Sequence, residues 1–251
     1  MSYACITFES YDQSVAKVLD EINTPDSIRK YSKILIKPNL VNTSPHPVTT
    51  HPKMCEALIK YIRRFSDAEI VVGDGCGSPN YETLYVFDML GYTYLEKGYN
   101  IKLVDLNHVE NKLYTNSHCI VHKDLYLPTL IDDHYIISLP VLKAHSIADI
   151  TGAMKNMMGL LPPAYYSGIY GSWKKAVFHN KVHESIIDLY HHVPPHLSIL
   201  DASVGLAEFH LGGARCNPPV NKILAGYDAK EIDRKAAEFL GLEWRTIGHL
   251  K

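Results

Sequence analysis

Between Ser138 and Leu161 the sequence SLPVLKAHSIADITGAMKNMMGLL sets Lys143, His145, Asp149, Lys155 and Asn156 between two apolar runs. Amines, an imidazole and an amide gathered over so short a stretch suit the binding of an anion and the movement of protons. Lys143 and Lys155 are candidates for holding a carboxylate or stabilising an enolate. Where burial lowers a pKa, they are also candidates for covalent or acid–base work. His145 is a candidate acid–base group or metal ligand. His179 and His183, four apart in a stretch that reads as helix, would share one face. With His145 they form the candidate metal set, although the Glu184 that follows does not complete an H-E-x-x-H motif.

Further polar residues fall at the ends of strand-like runs, in PNLVNT from Pro38, GDGCGS from Gly73, KAH from Lys143 and DASVGL from Asp201. In an open parallel sheet such loops share the carboxyl edge, where ligands bind, so their side chains can converge across long sequence separations. This makes Lys37, Asn39, Thr49, Asp74, Gly75, Asn156 and Asp201 candidate substrate-binding residues. The Gly73–Gly77 turn can aim backbone N–H groups at an anion. Its third glycine comes too early for a G-x-G-x-x-G nucleotide fingerprint.

The elements that must position these groups follow from periodicity. Strands are expected at Ala4–Phe8, Lys33–Lys37, Glu69–Gly73, Ile101–Asp105, Tyr135–Pro140, Leu197–Asp201 and Lys222–Gly226. Helices are expected after the first strand, over Pro52–Phe65 and Tyr81–Leu90, from a Thr151 cap through the methionines, over Lys175–Val193 and over Asp228–Leu240. Asp228 reads as the N-cap of the last helix and Asp233 as an acid in its first turn. Residues 106–134, with strand-like Cys119–His122 and Tyr126–Ile131, read as an antiparallel flap. Pro162–Ser172 reads as a lid or a plain surface loop. The alternation predicts an α/β fold, a mainly parallel sheet with helices on both faces and a small antiparallel insertion, in a single domain over 1–251.

With 251 residues, 46% of them hydrophobic, the chain can bury a substantial core. Lys and Arg number 25 against 27 Asp and Glu, with no long run of either sign, which argues against nucleic acid or an anionic membrane as partner. Neither a membrane span nor a signal peptide is expected, and a cytoplasmic location is. The five cysteines are scattered and form no C-x-x-C pair, so free thiols are expected and a cysteine-ligated iron–sulfur cluster is not. Cys76 reads as a small residue filling a tight turn.

The segments ILIKPNLV, TTHP, IVVGDGCGSP, LPVLKAHSIADITGAMKNMMGL, HES, and ILDA with ILAGYDAKEID resemble the family catalogued as domain of unknown function 362, along nearly the whole chain. The K-x-H followed by G-A-x-K-N is the most specific part. Many relatives carry ferredoxin-type cysteines, which this chain lacks. A more distant likeness, to the N-terminal domain of nickel-pincer lactate racemases, rests on a histidine followed ten residues later by a lysine, as His145 and Lys155 are. It implies His145 as an acid–base or metal-side residue and Lys155 as a cofactor tether or substrate-binding cation, with ITGAM standing where those proteins have a G-S-G-G loop.

The residues and the resemblance together imply an enzyme for a small anionic, carboxylate-bearing substrate. It would act by proton or hydride transfer next to a carbonyl or hydroxyl, as an isomerase, racemase or reductase does. His145 would move the proton, and Lys143 and Lys155 would hold the carboxylate. A non-catalytic metal- or cofactor-binding protein using His145, His179 and His183 is the second expectation, with a divalent metal or a lysine-tethered cofactor as the ligand. The substrate and the oligomeric state, a homodimer included, stay open.

Overall fold

A computed structural model describes residues 3–168 and 173–251. Residues 169–172, the end of the expected lid segment Pro162–Ser172, lie outside the described residues.

The first half alternates as expected. Strand β1 (Tyr3–Thr7) leads through helices α1 (Tyr11–Glu21) and α2 (Thr24–Ile28) to β2 (Lys33–Pro38). Helix α3 (Pro52–Arg63) connects to β3 (Glu69–Asp74), and α4 (Thr83–Met89) with α5 (Tyr94–Tyr99) connects to β4 (Lys102–Asp105). Strands β5 (Asn111–Thr115) and β6 (Asp124–Pro128) form the separate antiparallel hairpin expected for the insertion. Next come β7 (Tyr135–Leu139), β8 (Val141–His145), β9 (Asp149–Thr151), α6 (Ala153–Asn156), α7 (Pro163–Tyr166) and α8 (Val182–His192). The chain finishes with β10 (Leu197–Leu206), β11 (Lys222–Gly226) and α9 (Ala229–Phe239).

The main sheet runs β1-β11-β10-β7-β2-β3-β4. From β10 to β4 every pairing is parallel, whereas β11 is antiparallel to both its neighbours. Side chains alternate between two cores. Ile34 and Ile36 join Val15, Leu58 and Phe87 on one face, while Leu35 joins Met154, Ile186 and Ile232 on the other. A sheet apolar on both faces needs helices on both; α1, α3, α4 and α5 supply one layer, and α6, α8 and α9 the other. Among the described residues no helix is long and apolar enough to cross a membrane.

Four local expectations are corrected. The KAH segment is not a loop past the central strand: β7 does end before Pro140, as expected, but a further strand, β8, follows at once beside β10 and carries Lys143 and His145. The missing proline N–H therefore falls where no partner asks for it, and the Pro140 carbonyl accepts from Asp201 N at 2.9 Å. Thr151 lies in β9 and caps nothing. Lys175–Val193 is not one helix, because a 3-10 turn over Ala176–His179 gives way at Asn180 and Lys181 before α8 begins. Cys119–His122 is no strand but the tip of the β5–β6 hairpin, where the Asp188 carboxylate accepts the N–H groups of Ile120, Val121 and His122.

Candidate functional site

The carboxyl ends of β2, β3 and β8 surround a cavity of about 380 Å³. Lys37, Asn39 and Val41 line it from the first loop, Asp74, Gly75 and Gly77 from the second, and His145 from the third. Lys155, Asn156 and Gly159 form another wall, Lys175 and His179 a further one, and Phe209–Leu211 close the side beyond β10. The apolar side chains of Ile147, Trp173 and Phe209 stand at the surface, 48, 39 and 42% exposed, and rim the cavity.

The floor is a hydrogen-bonded network built on a buried ion pair. Lys37 Nζ donates to Asp74 Oδ1 at 2.6 Å and to the Pro38 carbonyl at 3.1 Å. Asp74 also accepts from Gly75 N at 2.8 Å and from Leu40 N at 2.6 Å, so both its oxygens are committed. Asn156 donates to the Lys37 carbonyl and to Ser138 Oγ, and its own oxygen accepts from Asn39 Nδ2 at 3.1 Å. Asn39 Oδ1 accepts from Lys143 Nζ at 2.6 Å. Lys143 also reaches the Val48 carbonyl at 2.7 Å, which pins the proline-rich loop after β2. Burial, then the neighbouring Lys155, lowers Lys143 to about 7. It supports the site from beneath.

Gly159 packs so closely on this pair that a Cβ there would overlap Asp74 Oδ1 and Lys37 Nζ. Gly159→Ala should therefore cost roughly 1–3 kcal/mol of stability, the usual penalty for overpacking, and should weaken ligand binding as well. Chemical denaturation beside a binding titration would check both.

Lys155 is aimed by its neighbours. Met154 and Met157 on either side are fully or almost fully buried in the second core, each anchored by roughly 1.5–3 kcal/mol of apolar burial. The Asp233 carboxylate, reaching over from α9, accepts from Ala153 N at 2.5 Å and Met154 N at 2.9 Å and so caps α6. Asp233 lies past the first turn of α9, whose acid is Glu231, and is a fully buried cap for another helix; burial raises its pKa to about 7. Gly152 leaves room for that carboxylate. Among the described residues Lys155 Nζ has no hydrogen-bond or ion-pair partner, and burial lowers it to about 8. Lys175, by contrast, donates to Asn107 Oδ1 and the Leu161 carbonyl, and burial lowers it to about 7.

The β8–β9 turn fixes His145. Its Nδ1 lies 3.3 Å from both Ile147 N and Ala148 N. Backbone N–H groups only donate, so Nδ1 is the acceptor and the neutral ring carries its proton on Nε2. Burial, helped by Lys155 and His210, pushes the imidazolium form far down. His145 stacks on His210 with ring centroids 3.8 Å apart. Burial and nearby Lys155 lower His179 to about 4 and His210 to about 3.

Three candidates lie elsewhere. Asp201 accepts from Tyr11 OH at 2.7 Å and Ser203 N at 2.9 Å, with His46 Nε2 3.2 Å away, in a cluster apart from the cavity. Thr49 donates to the Ser44 carbonyl within its own loop. His183 faces His249, Nδ1 to Nδ1 at 2.9 Å, so the trio His145, His179 and His183 is not brought together. Among the described residues two groups place three metal-ligating atoms within 4.8 Å, Cys119/Asp188/His191 and Glu82/Asp105/His108, and neither includes these histidines. Cys76 is fully buried and its thiol is pushed up to about 11, which leaves it unreactive at neutral pH.

The sequence reading missed His210 and Lys175. The FHLGG segment after β10 held a signal for the first, an aromatic–histidine pair before glycines at the same sheet edge. Lys175 gave none, because its burial is decided by Asn107 and Leu161.

Fold and cavity together define an open α/β protein whose strand ends hold a lysine- and histidine-lined pocket. Its sequence matches the model of the family described as "Domain of unknown function (DUF362)" over residues 34–238, most of the chain. The protein belongs to that family. No curated protein matches it.

Proposed function

We propose that this protein is an enzyme acting on a small carboxylate-bearing metabolite, by proton transfer at a carbon next to a carbonyl or hydroxyl. The observation that carries the reading is the charge inventory of the cavity. Among the described residues Lys37, Lys155 and Lys175 line it against a single acid, Asp74, whose oxygens are already taken by Lys37 and two backbone N–H groups. The cavity is therefore electropositive toward a ligand. Lys175, with two of its three N–H donors used, has one left for a carboxylate. His145, held as the Nε2–H tautomer, is a donor for an oxyanion forming at the reacting carbonyl. Lys155 is the reactive amine.

A volume of about 380 Å³ suits a small metabolite. It favours the isomerase or epimerase form of the proposal over the reductase form, which needs room for a hydride carrier as well. Five free cysteines fit a reducing compartment, and we place the protein in the cytoplasm.

The test is a pH-dependent titration with lactate, a small carboxylate with no carbonyl for an amine to attack, read by the fluorescence of Trp173 in a Trp244→Phe background. Lys155 and Lys175, at about 8 and about 7, are both ammonium at low pH and increasingly neutral as pH rises. His179 and His210 add no charge above about pH 5, well over their own values. Affinity should be greatest near pH 6 and fall through pH 7–9, by up to about tenfold per unit for each amine that must be protonated. A flat profile would remove the lysines from binding.

A further inference from the structure

Four lysines sit in or under the cavity, and three have work to do within the protein. Lys37 holds Asp74, Lys143 holds Asn39 and Val48, and Lys175 holds Asn107 and Leu161. Lys155 alone among them makes no such bond in the described residues, although α6 is locked at its N-terminus by Asp233 and on its apolar side by two methionines. A side chain fixed at its base and unpartnered at its tip is held for something that enters. The groups beside it are imidazoles, His145, His179 and His210, and no carboxylate among the cavity residues is free to pair with it.

We propose that Lys155 is a covalent catalyst, forming an imine with the carbonyl carbon of a 2-oxo acid bound in the cavity. This rests on the small-carboxylate reading above and narrows its substrate class. In the step, the neutral Nζ attacks the carbonyl carbon, a C–N bond forms, and the oxygen takes up protons and leaves as water. The two N–H protons of the amine are the ones that balance that water, and no oxidant or reductant takes part. The N–H of His145 Nε2 is suited to assist the departing oxygen, and the last donor of Lys175 to hold the carboxylate. Once the imine is protonated, the neighbouring C–H is acidified because its electron pair can pass into the C=N bond, giving an enamine. His210, a neutral imidazole that lines the same cavity, is the group we assign to receive that proton. The exposed rim of Ile147, Trp173 and Phe209 favours a 2-oxo acid whose remaining substituent is apolar.

Burial, which lowers Lys155 to about 8, supports the proposal by keeping a useful fraction of the amine neutral near pH 7. The experiment incubates the full chain with pyruvate or phenylpyruvate, with and without sodium cyanoborohydride, and locates any reduced adduct by peptide mass mapping. Binding is followed in parallel through Trp173. The expected result is one adduct per chain at Lys155, absent in Lys155→Arg and Lys155→Met, with phenylpyruvate trapped faster than pyruvate. Circular dichroism would confirm that both variants fold. Binding without an adduct, or adducts spread over surface lysines, overturns the covalent proposal and leaves the carboxylate site standing. Neither binding nor adduct with either acid overturns both readings.

Discussion

Lys155→Met should abolish exchange of the protons beside the carbonyl of a bound 2-oxo acid, measured in D2O by proton NMR, while the protein melts at or above the wild-type temperature. The loss should be at least the roughly 10²- to 10⁴-fold associated with removing an essential proton-transferring group. The two halves of the expectation have one cause. Burial lowers the Lys155 pKa, so the folded state pays to keep the ammonium. In the unfolded chain the amine stays protonated to higher pH. The group therefore holds stability down below about pH 8, and the penalty fades as pH rises toward the unfolded value. Methionine fills similar space without that penalty. A large fall in melting temperature would mark Lys155 as a structural lysine instead. Lys155→Arg separates charge from nucleophile, because it keeps a cation in the cavity but no titrating amine.

Much of this site was legible before any coordinates, since strand-end loops in a parallel sheet must share an edge. Lys37, Asn39, Asp74, Gly75, His145, Lys155 and Asn156 come from segments up to 119 residues apart and still line one cavity. The two-sided sheet was legible too, in runs such as Lys33-Ile-Leu-Ile-Lys. What periodicity could not carry was the partner of each polar side chain. Asp233 looks like a first-turn acid until α9 is packed on α6, and only then does its carboxylate meet two orphan N–H groups. His183 looks like the partner of His179 until Lys175 and Phe178 are buried, and the chain leaves helical geometry between the two histidines. Asp201 follows the same rule. It lies on a strand that continues to Leu206, so its side chain falls short of the edge and pairs with Tyr11 and His46.

The largest stability effect should come from the ion pair beneath the cavity. Asp74→Ala should destabilise the fold by about 3–5 kcal/mol, the cost of leaving one partner of a buried pair uncompensated. Both members are almost wholly shielded from solvent, with side-chain exposures of 1 and 4%. Losing the carboxylate strands the Lys37 ammonium, which burial already disfavours, and orphans Leu40 N and Gly75 N as well. Lys37→Met should cost less, because Asp74 keeps those two backbone donors. The double substitution Lys37→Met/Asp74→Ala should cost less than the sum, by roughly 1–3 kcal/mol of coupling for groups in direct contact. Urea denaturation of the four proteins at constant pH measures the cycle, and additive effects would show that the pair is not the keystone of the floor. The same cycle separates stability from function. Under native conditions the double variant should still fold but bind a 2-oxo acid weakly, because Asn156 and Gly159, which border Lys155 and rest on this pair, lose the surface that positions them.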